Sequence, residues 1–258
     1  MWDILKVGFK TFQLAICAML LLSFESHSQQ PSQGNQQQAL ALLERIDNLY
    51  RLDSSEATIT MEVKTENWQR SMTMEAWSKG MDYTLVRILS PKKEKGISTL
   101  KRDTQMWNYF PKIRKVIKVP PSMMMGSWMG SDFTNDDLVR EVSLAKEYNV
   151  SLSSTQAIHT LTLIPKQNTV TVWGKIIATV DSKTLLPIKQ TYFDEDGQAM
   201  REMVFSENKN FDGKLLPSVM VLTPLNKTKQ YTKMTYDSLS FNTDIKADVF
   251  TLRNLKRR

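Results

Sequence analysis

Cysteine and histidine are nearly absent from this sequence. Its 258 residues include one cysteine, Cys17, and two histidines, His27 and His159. Cys17 lies in an apolar run near the N-terminus, so the chain beyond that run has no thiol for a disulfide, a nucleophile or a zinc site. His159, inside the strand-like HTLTLIP, has no cysteine or second histidine downstream of the leader to work with. The nine glycines form no phosphate-cradling loop, and no GxSxG elbow is present. Asp132, Asp136 and Asp137 stand close together, but their spacing is not that of a calcium loop, and helix capping accounts for Asp136 and Asp137. These absences predict no metal, no cofactor and no catalysis. The expectation is a protein that binds.

Residues 1–28 are expected to be a signal peptide. Lys6 and Lys10 precede the apolar Thr11–Phe24, and Ser26 and Ser28 set small residues ahead of a cut before Gln29. The run falls short of the about 20 residues of a spanning helix, although an uncleaved anchor stays open. The LAI before Cys17 loosely resembles a lipobox, but Ile16 is large for its position and most of the run follows the cysteine. Residues 29–38 (QQPSQGNQQQ) read as a flexible polar linker, and residues 39–258 as a single domain. Removing the leader leaves 32 basic against 25 acidic residues, still +7. On a secreted protein that excess suits an anionic membrane or an acidic protein surface, and not nucleic acid. A plain aid to solubility also fits.

Leu40, Leu43, Ile46, Leu49 and Tyr50 recur at helical steps, which predicts an amphipathic helix over 39–52. From Ala57 the period becomes two. Segments 57–65, 70–78, 82–89, 96–101, 103–110 and 112–119 read as strands, followed by 148–153, 159–165, 169–181, 187–194, 199–209, 216–222, 229–239 and 248–250. Glu195-Asp196-Gly197 is a hairpin turn. The fold class is mainly β with helices: about a dozen antiparallel strands curling into an incomplete barrel.

One stretch, Lys101–Leu138, stands out. Met123, Met124, Met125, Trp128 and Met129 crowd a segment broken by Pro120, Pro121, Gly126 and Gly130. Methionine is flexible and polarizable, which suits it to apolar ligands of variable shape. The segment reads as a lid over a cavity, with a methionine-filled core as the plain alternative. Cavity or lid candidates are Met61, Val63, Met72, Met74, Trp77, Trp107, Tyr109 and Phe133, together with that methionine and tryptophan set. Lys112, Arg114, Lys115 and Lys118 are candidates for contact with a headgroup or membrane. Arg87, between apolar Val86 and Ile88, is either an outward charge or a residue that holds a lid closed.

Pro91 and Gly96 in LSPKKEKGISTL, Trp107, Tyr109 and Pro111 in MWNYFPKIRKV, and Gly130, Ser131, Asp132, Asp137 and Leu138 in MGSDFTNDDL together resemble the outer-membrane lipoprotein-sorting-protein-like family. These are relatives of the periplasmic lipoprotein carrier LolA. The resemblance implies an open barrel wrapped on helices around a hydrophobic cavity. It further implies a monomeric periplasmic protein of a Gram-negative bacterium that carries lipid or lipoprotein acyl chains between membranes, with an inner-membrane transporter of the resistance-nodulation-division type as partner. The alternative is an adaptor of such a transporter that carries no lipid.

Overall fold

Strands form where the apolar period is two. In β1 (Ser54–Lys64), buried Ala57, Ile59, Met61 and Val63 alternate with half-exposed Thr58, Thr60 and Glu62, so one face of the strand turns inward. A computed structural model describes residues 33–140 and 144–257. The expected signal peptide lies outside the described residues. Helix α1 (Gln33–Asp47) starts within the segment read as a flexible linker. Glutamine is a good helix former when its side chain is solvated, so the helix extends N-terminally beyond its apolar stripe. It ends before Leu52, which adopts a positive φ of 49° as the chain turns into β1.

The remaining strands are β2 (Gln69–Lys79), β3 (Tyr83–Ser90), β4 (Ser98–Arg102), β5 (Gln105–Phe110), β6 (Lys115–Lys118), β7 (Tyr148–Ser154), β8 (Ile158–Pro165), β9 (Lys175–Asp181), β10 (Pro187–Phe193), β11 (Ala199–Phe211), β12 (Lys214–Pro224) and β13 (Tyr231–Phe241). They form one antiparallel sheet in the order β6-β5-β4-β3-β2-β1-β13-β12-β11-β10-β9-β8-β7. The sheet does not close, and the fold is an open half-barrel. Two sequence expectations fail. Residues 169–174 are a loop, and Ala247–Phe250 is a 3₁₀ turn instead of a last strand.

The strand order dictates the next feature. β6 and β7 follow each other in sequence but occupy opposite edges, so the chain between them has to cross a face of the sheet. That crossing segment carries the Met-rich stretch, α2 (Asn135–Arg140) and α3 (Leu144–Glu147). We call it the strap. With α1 it covers the inner face.

Two inner clusters result. One joins Ala57, Ile59, Met61, Val63, Met72, Met74 and Ile88 to Trp128 of the strap. The other packs Ala39, Leu42, Leu43 and Ile46 of α1 on Val150, Leu161, Leu163, Ile176 and Tyr192. The outer face of β3–β5 is covered separately. There Leu85, Leu100 and Tyr109 meet Ile245, Phe250 and Leu255 of the C-terminal segment, which ends in α4 (Leu252–Leu255).

Candidate functional site

Strand register assembles the floor of the inner face. Met72 pairs with Met61, Met61 with Met234, Met234 with Met220, and Met220 with Phe205. Four methionines from four strands thus stand in one row across the sheet. Thioether side chains in such a row adapt their rotamers to what lies above them and make favourable contacts with aromatic edges.

Two cavities lie on this inner face; Met220 and Met234 of the row border both, while Met61 and Met72 are packed into the core with Trp128 and border neither. The larger, about 200 Å³, is bounded by α1, α2, the 169–174 loop and β9–β13; Leu49, Phe133, Trp173, Met203, Phe205 and Leu222 contribute to its mainly apolar wall. The smaller, about 130 Å³, lies over β1–β3 against Met74, Val86 and Trp128. Tyr50, Leu138, Met220, Met234 and Tyr236 border both, so these five side chains form the partition. Within it the Tyr50 and Tyr236 rings stack, 4.7 Å between centroids and 10° from parallel. The Tyr50 hydroxyl donates to the Pro217 carbonyl at 2.8 Å.

The strap is pinned at several points. Trp128 is 3% exposed and donates from its indole Nε1 to Thr99 Oγ1 at 3.1 Å. Ser131 Oγ donates to the Trp128 carbonyl at 2.6 Å. Asp132 accepts from Thr232 Oγ1 at 2.7 Å and from Gln230 Nε2, and its own N–H donates to Thr232 Oγ1. Arg70 of β2 donates to the Met129 carbonyl and lies 3.8 Å from Glu94 of the 91–96 turn. Gly130, at φ +72°, leaves only 3.1 Å between a would-be Cβ and that guanidinium, a conformation and a clearance that favour glycine.

α2 begins with a reciprocal cap. Asp137 N–H donates to Thr134 Oγ1 at 3.0 Å, while Thr134 N–H donates to Asp137 Oδ2 at 2.8 Å. Asp137 also accepts both terminal nitrogens of Arg201, each at 2.7 Å. Burial works to raise the Asp137 carboxyl, but the Arg201 charge and these hydrogen bonds hold it below the usual carboxylate range. The Arg201 guanidinium sits 4.2 Å from the Tyr192 ring centroid and 4.4 Å from that of Trp173. Asp47 also borders the larger cavity. Burial, opposed by backbone N–H donors of Ala145 and Leu144, pushes its carboxyl up to about 7.

The sequence candidates distribute unevenly over this site. Met61, Val63 and Met72 are buried in the inner core, with Met129 packed against it, and border neither cavity, whereas Met74 and Trp128 of the same core border the smaller one. Phe133 borders the larger cavity. Tyr109 and Trp107 belong to the outer-face cluster and border neither cavity; Trp77 packs there too and touches the smaller one. Met123 and Met125 are exposed and Met124 is half-buried, because the turns of the strap direct Trp128 inward and leave the methionine triplet outside. Lys112, Arg114, Lys115 and Lys118 are all exposed.

The family-motif residues hold the frame. Gly96 packs on Pro111, Pro91 opens the turn that carries Glu94, and Gly130, Ser131, Asp132, Asp137 and Leu138 fix the strap or border the cavities. Arg87 donates to the Asn254 carbonyl at 2.9 Å and therefore holds the C-terminal helix, not the strap. Sequence reasoning missed the wall formed by Arg201, Met203 and Phe205 with Met220, Leu222, Met234 and Tyr236. Its signal was the same period-two pattern that identified β1.

A model of a family described as uncharacterized protein matches residues 80–257. No curated protein matches the sequence. Among solved structures the chain is similar to a DUF1329 family protein from Desulfovibrio piger, at TM-score 0.77 and 20% identity over 86% of this chain and 99% of that one. It is similar to a putative outer membrane lipoprotein-sorting protein domain from Vibrio parahaemolyticus, at TM-score 0.73 and 20% identity over 86% and 100%. A third is a LolA superfamily protein from Nitrosomonas europaea, at TM-score 0.69 and 18% identity over 84% and 98%.

Proposed function

Because the chain belongs to the family whose model matches residues 80–257 and has the LolA-like fold, we propose that it carries lipid, or the acyl chains of lipoproteins, through the periplasm in the two-part interior between sheet, strap and α1. The observation that carries this reading is the apolar interior itself: two cavities that share Met220 and Met234 and are divided only by side chains. Transfer of an acyl chain out of water is worth about 0.8 kcal/mol per CH₂, so an enclosed apolar space is what such a cargo requires. No helix among the described residues is long and apolar enough to cross a membrane.

Exchange with a membrane, or with an inner-membrane transporter of the resistance-nodulation-division type, takes place in this reading at the β5–β6 end. Ile113 (58% exposed), Ile117 (45%), Met123 (60%) and Trp68 (45%) stand there among the exposed cations Lys112, Arg114, Lys115 and Lys118. Apolar side chains ringed by cations match an anionic bilayer surface.

The test is native mass spectrometry with lipid extraction on the protein purified from a periplasm. A defined co-purifying lipid, reduced when Phe205 and Met220 are changed to charged residues, supports the carrier. A bare protein mass with no lipid uptake from liposomes would overturn it in favour of the transporter adaptor.

A further inference from the structure

The two cavities differ in charge. Asp47, Asp136, Asp137, Glu147 and Arg201 border the larger one, an acidic excess whether or not Asp47 is ionised. Among the described residues, Arg51 is the one charged side chain that borders the smaller cavity, and the hydroxyl residues Ser55, Ser78 and Thr84 border it too. The remaining wall is mainly apolar, with Ala57, Ile59, Met74, Val86 and Trp128.

Strand register builds the polar end. Ser55 of β1 pairs with Ser78 of β2, Ser78 with Thr84 of β3, and Thr84 with Lys101 of β4. Residues directly opposite on neighbouring strands have Cβ atoms about 4.5–5.5 Å apart, so the four side chains form one row on the inner face. Arg51, just past α1, joins that row, its Nη1 donating to Thr84 Oγ1 at 3.0 Å. The Ser55 and Ser78 hydroxyls meet at 2.7 Å. One donates to the other, so the pair keeps one O–H to give, and Thr84, an acceptor for Arg51, keeps its own. Lys101, 1% exposed, donates to the Met81 carbonyl at 2.6 Å. Burial first and the charge of Arg51 second push its ammonium down to about 7, against the exposed Asp82 and Asp103.

Two residues along each strand, the next row is apolar: Ala57, Ala76 and Val86. Packing alone would be served by the same choice at Ser55, Ser78 and Thr84. A cation and hydroxyl donors at one end of an otherwise apolar cavity are instead the few placed polar groups that orient a ligand. A carboxylate or phosphate accepts from all of them. An ammonium would meet a like charge.

We propose that the smaller cavity holds the anionic head, carboxylate or phosphate, of the carried amphiphile at Arg51, Thr84 and the Ser55–Ser78 pair, with the acyl tail directed past Tyr50 and Tyr236 into the larger cavity. This assignment rests on the carrier reading and adds to it the charge of the head and the direction of the tail. The acidic border of the larger cavity disfavours the reverse orientation. Arginine stays protonated, so the site keeps its charge when Lys101 loses its own.

The test measures binding of dodecanoate, dodecyl phosphate, dodecanol and dodecylammonium to the full chain by isothermal titration calorimetry at about pH 8, where Arg51 and both anions are charged. The tails match, so only the heads differ. At least one anion should bind about tenfold or more tightly than dodecanol, the effect of one charge-assisted hydrogen bond, and dodecylammonium should bind most weakly. The tighter of the two anions tells a free acid from a phosphate ester. Arg51→Met should shrink the preference over dodecanol to within about twofold. Ser78→Ala combined with Thr84→Val, which removes donors at nearly constant volume, should lower it about threefold or more, and decides the matter if circular dichroism shows Arg51→Met to be unfolded. Dodecanol binding as tightly as both anions, or an anion preference undiminished in the folded variants, would overturn the proposal and leave the carrier standing. No binding of any of the four would overturn the carrier reading itself.

Discussion

Asp137 shows how much one carboxylate does here. It closes the cap of α2 through Thr134 and pairs in bidentate fashion with Arg201 beneath Trp173 and Tyr192. It thereby ties the strap to β11. Asp47 is its counterpart in pH behaviour. Burial raises its folded-state carboxyl from 3.8 to about 7. In the unfolded chain that group ionises near 3.8, whereas the folded protein keeps it protonated until about 7. The unfolded state therefore binds fewer protons in between, and stability from this group is fully present below about pH 4 and lost as pH rises towards 7. We expect Asp47→Asn to flatten the stability curve over that window and to raise stability at about pH 8 by roughly 1–3 kcal/mol. Urea melts across pH check this, and an unchanged slope would sink it. Trp128, expected from sequence in a lid or cavity with a core position as the alternative, is buried, borders the smaller cavity and has a satisfied indole. Trp128→Asp should accordingly cost about 3–5 kcal/mol, from lost packing plus a buried charge. A mutant with wild-type thermal stability would return Trp128 to the lid.

At the scale of elements, the strap and the partition decide what the interior can hold. The strap leaves one sheet edge, crosses β2 at Arg70, β13 at Asp132 and β11 at Asp137, and re-enters at the other edge. Asp132→Ala removes the acceptor contacts to Thr232 of β13 and to Gln230 just before it, each worth about 1 kcal/mol. We expect amide exchange at Ser131–Asn135 to accelerate several-fold with little change elsewhere; uniform acceleration would show that the strap does not open on its own. The partition is equally open to test. Tyr236 is one half of the ring stack between the two cavities. Tyr236→Ala should join them and shift the preferred ligand to longer chains, read by competition among alkanols of graded length. An unchanged optimum would mean that Tyr50, anchored on Pro217, closes the passage alone.

At the scale of the whole molecule, two runs of antiparallel strands meet where β1 pairs with β13 and fan outward to free edges at β6 and β7. The free β6 edge carries Lys115 and Lys118, and charged residues there discourage pairing with another sheet. The same end of the molecule presents exposed Ile113, Ile117 and Met123. Binding to vesicles rich in phosphatidylglycerol is expected to weaken as salt rises. Replacing both isoleucines with aspartate should reduce it by about tenfold or more, on the basis of lost apolar insertion and added repulsion. Salt-independent binding, or no effect of the double replacement, would remove this face from the exchange step.

The sequence alone determined the class of this protein. Period-two alternation, turn residues and the amphipathic stripe of α1 are local, and they imply an antiparallel sheet backed by a helix. The motif at Gly130–Leu138 marked the strap, because its glycine, serine and aspartates answer to local backbone and capping demands. Only the tertiary structure decided what faces the interior. The Met123–Met125 cluster is conspicuous in one dimension yet lies outside. The methionine row joins Met61, Met72, Met220 and Met234, residues separated by up to most of the chain and aligned only by strand register, and of these Met220 and Met234 border the cavities. Pairing Asp137 with Arg201, 64 positions apart, and setting Asp47 against the backbone of Leu144 and Ala145 beside the same cavity likewise depend on where β6 and β7 end. Local sequence determines which way a side chain points relative to its own strand, but which strand lies next to it is set by the global topology.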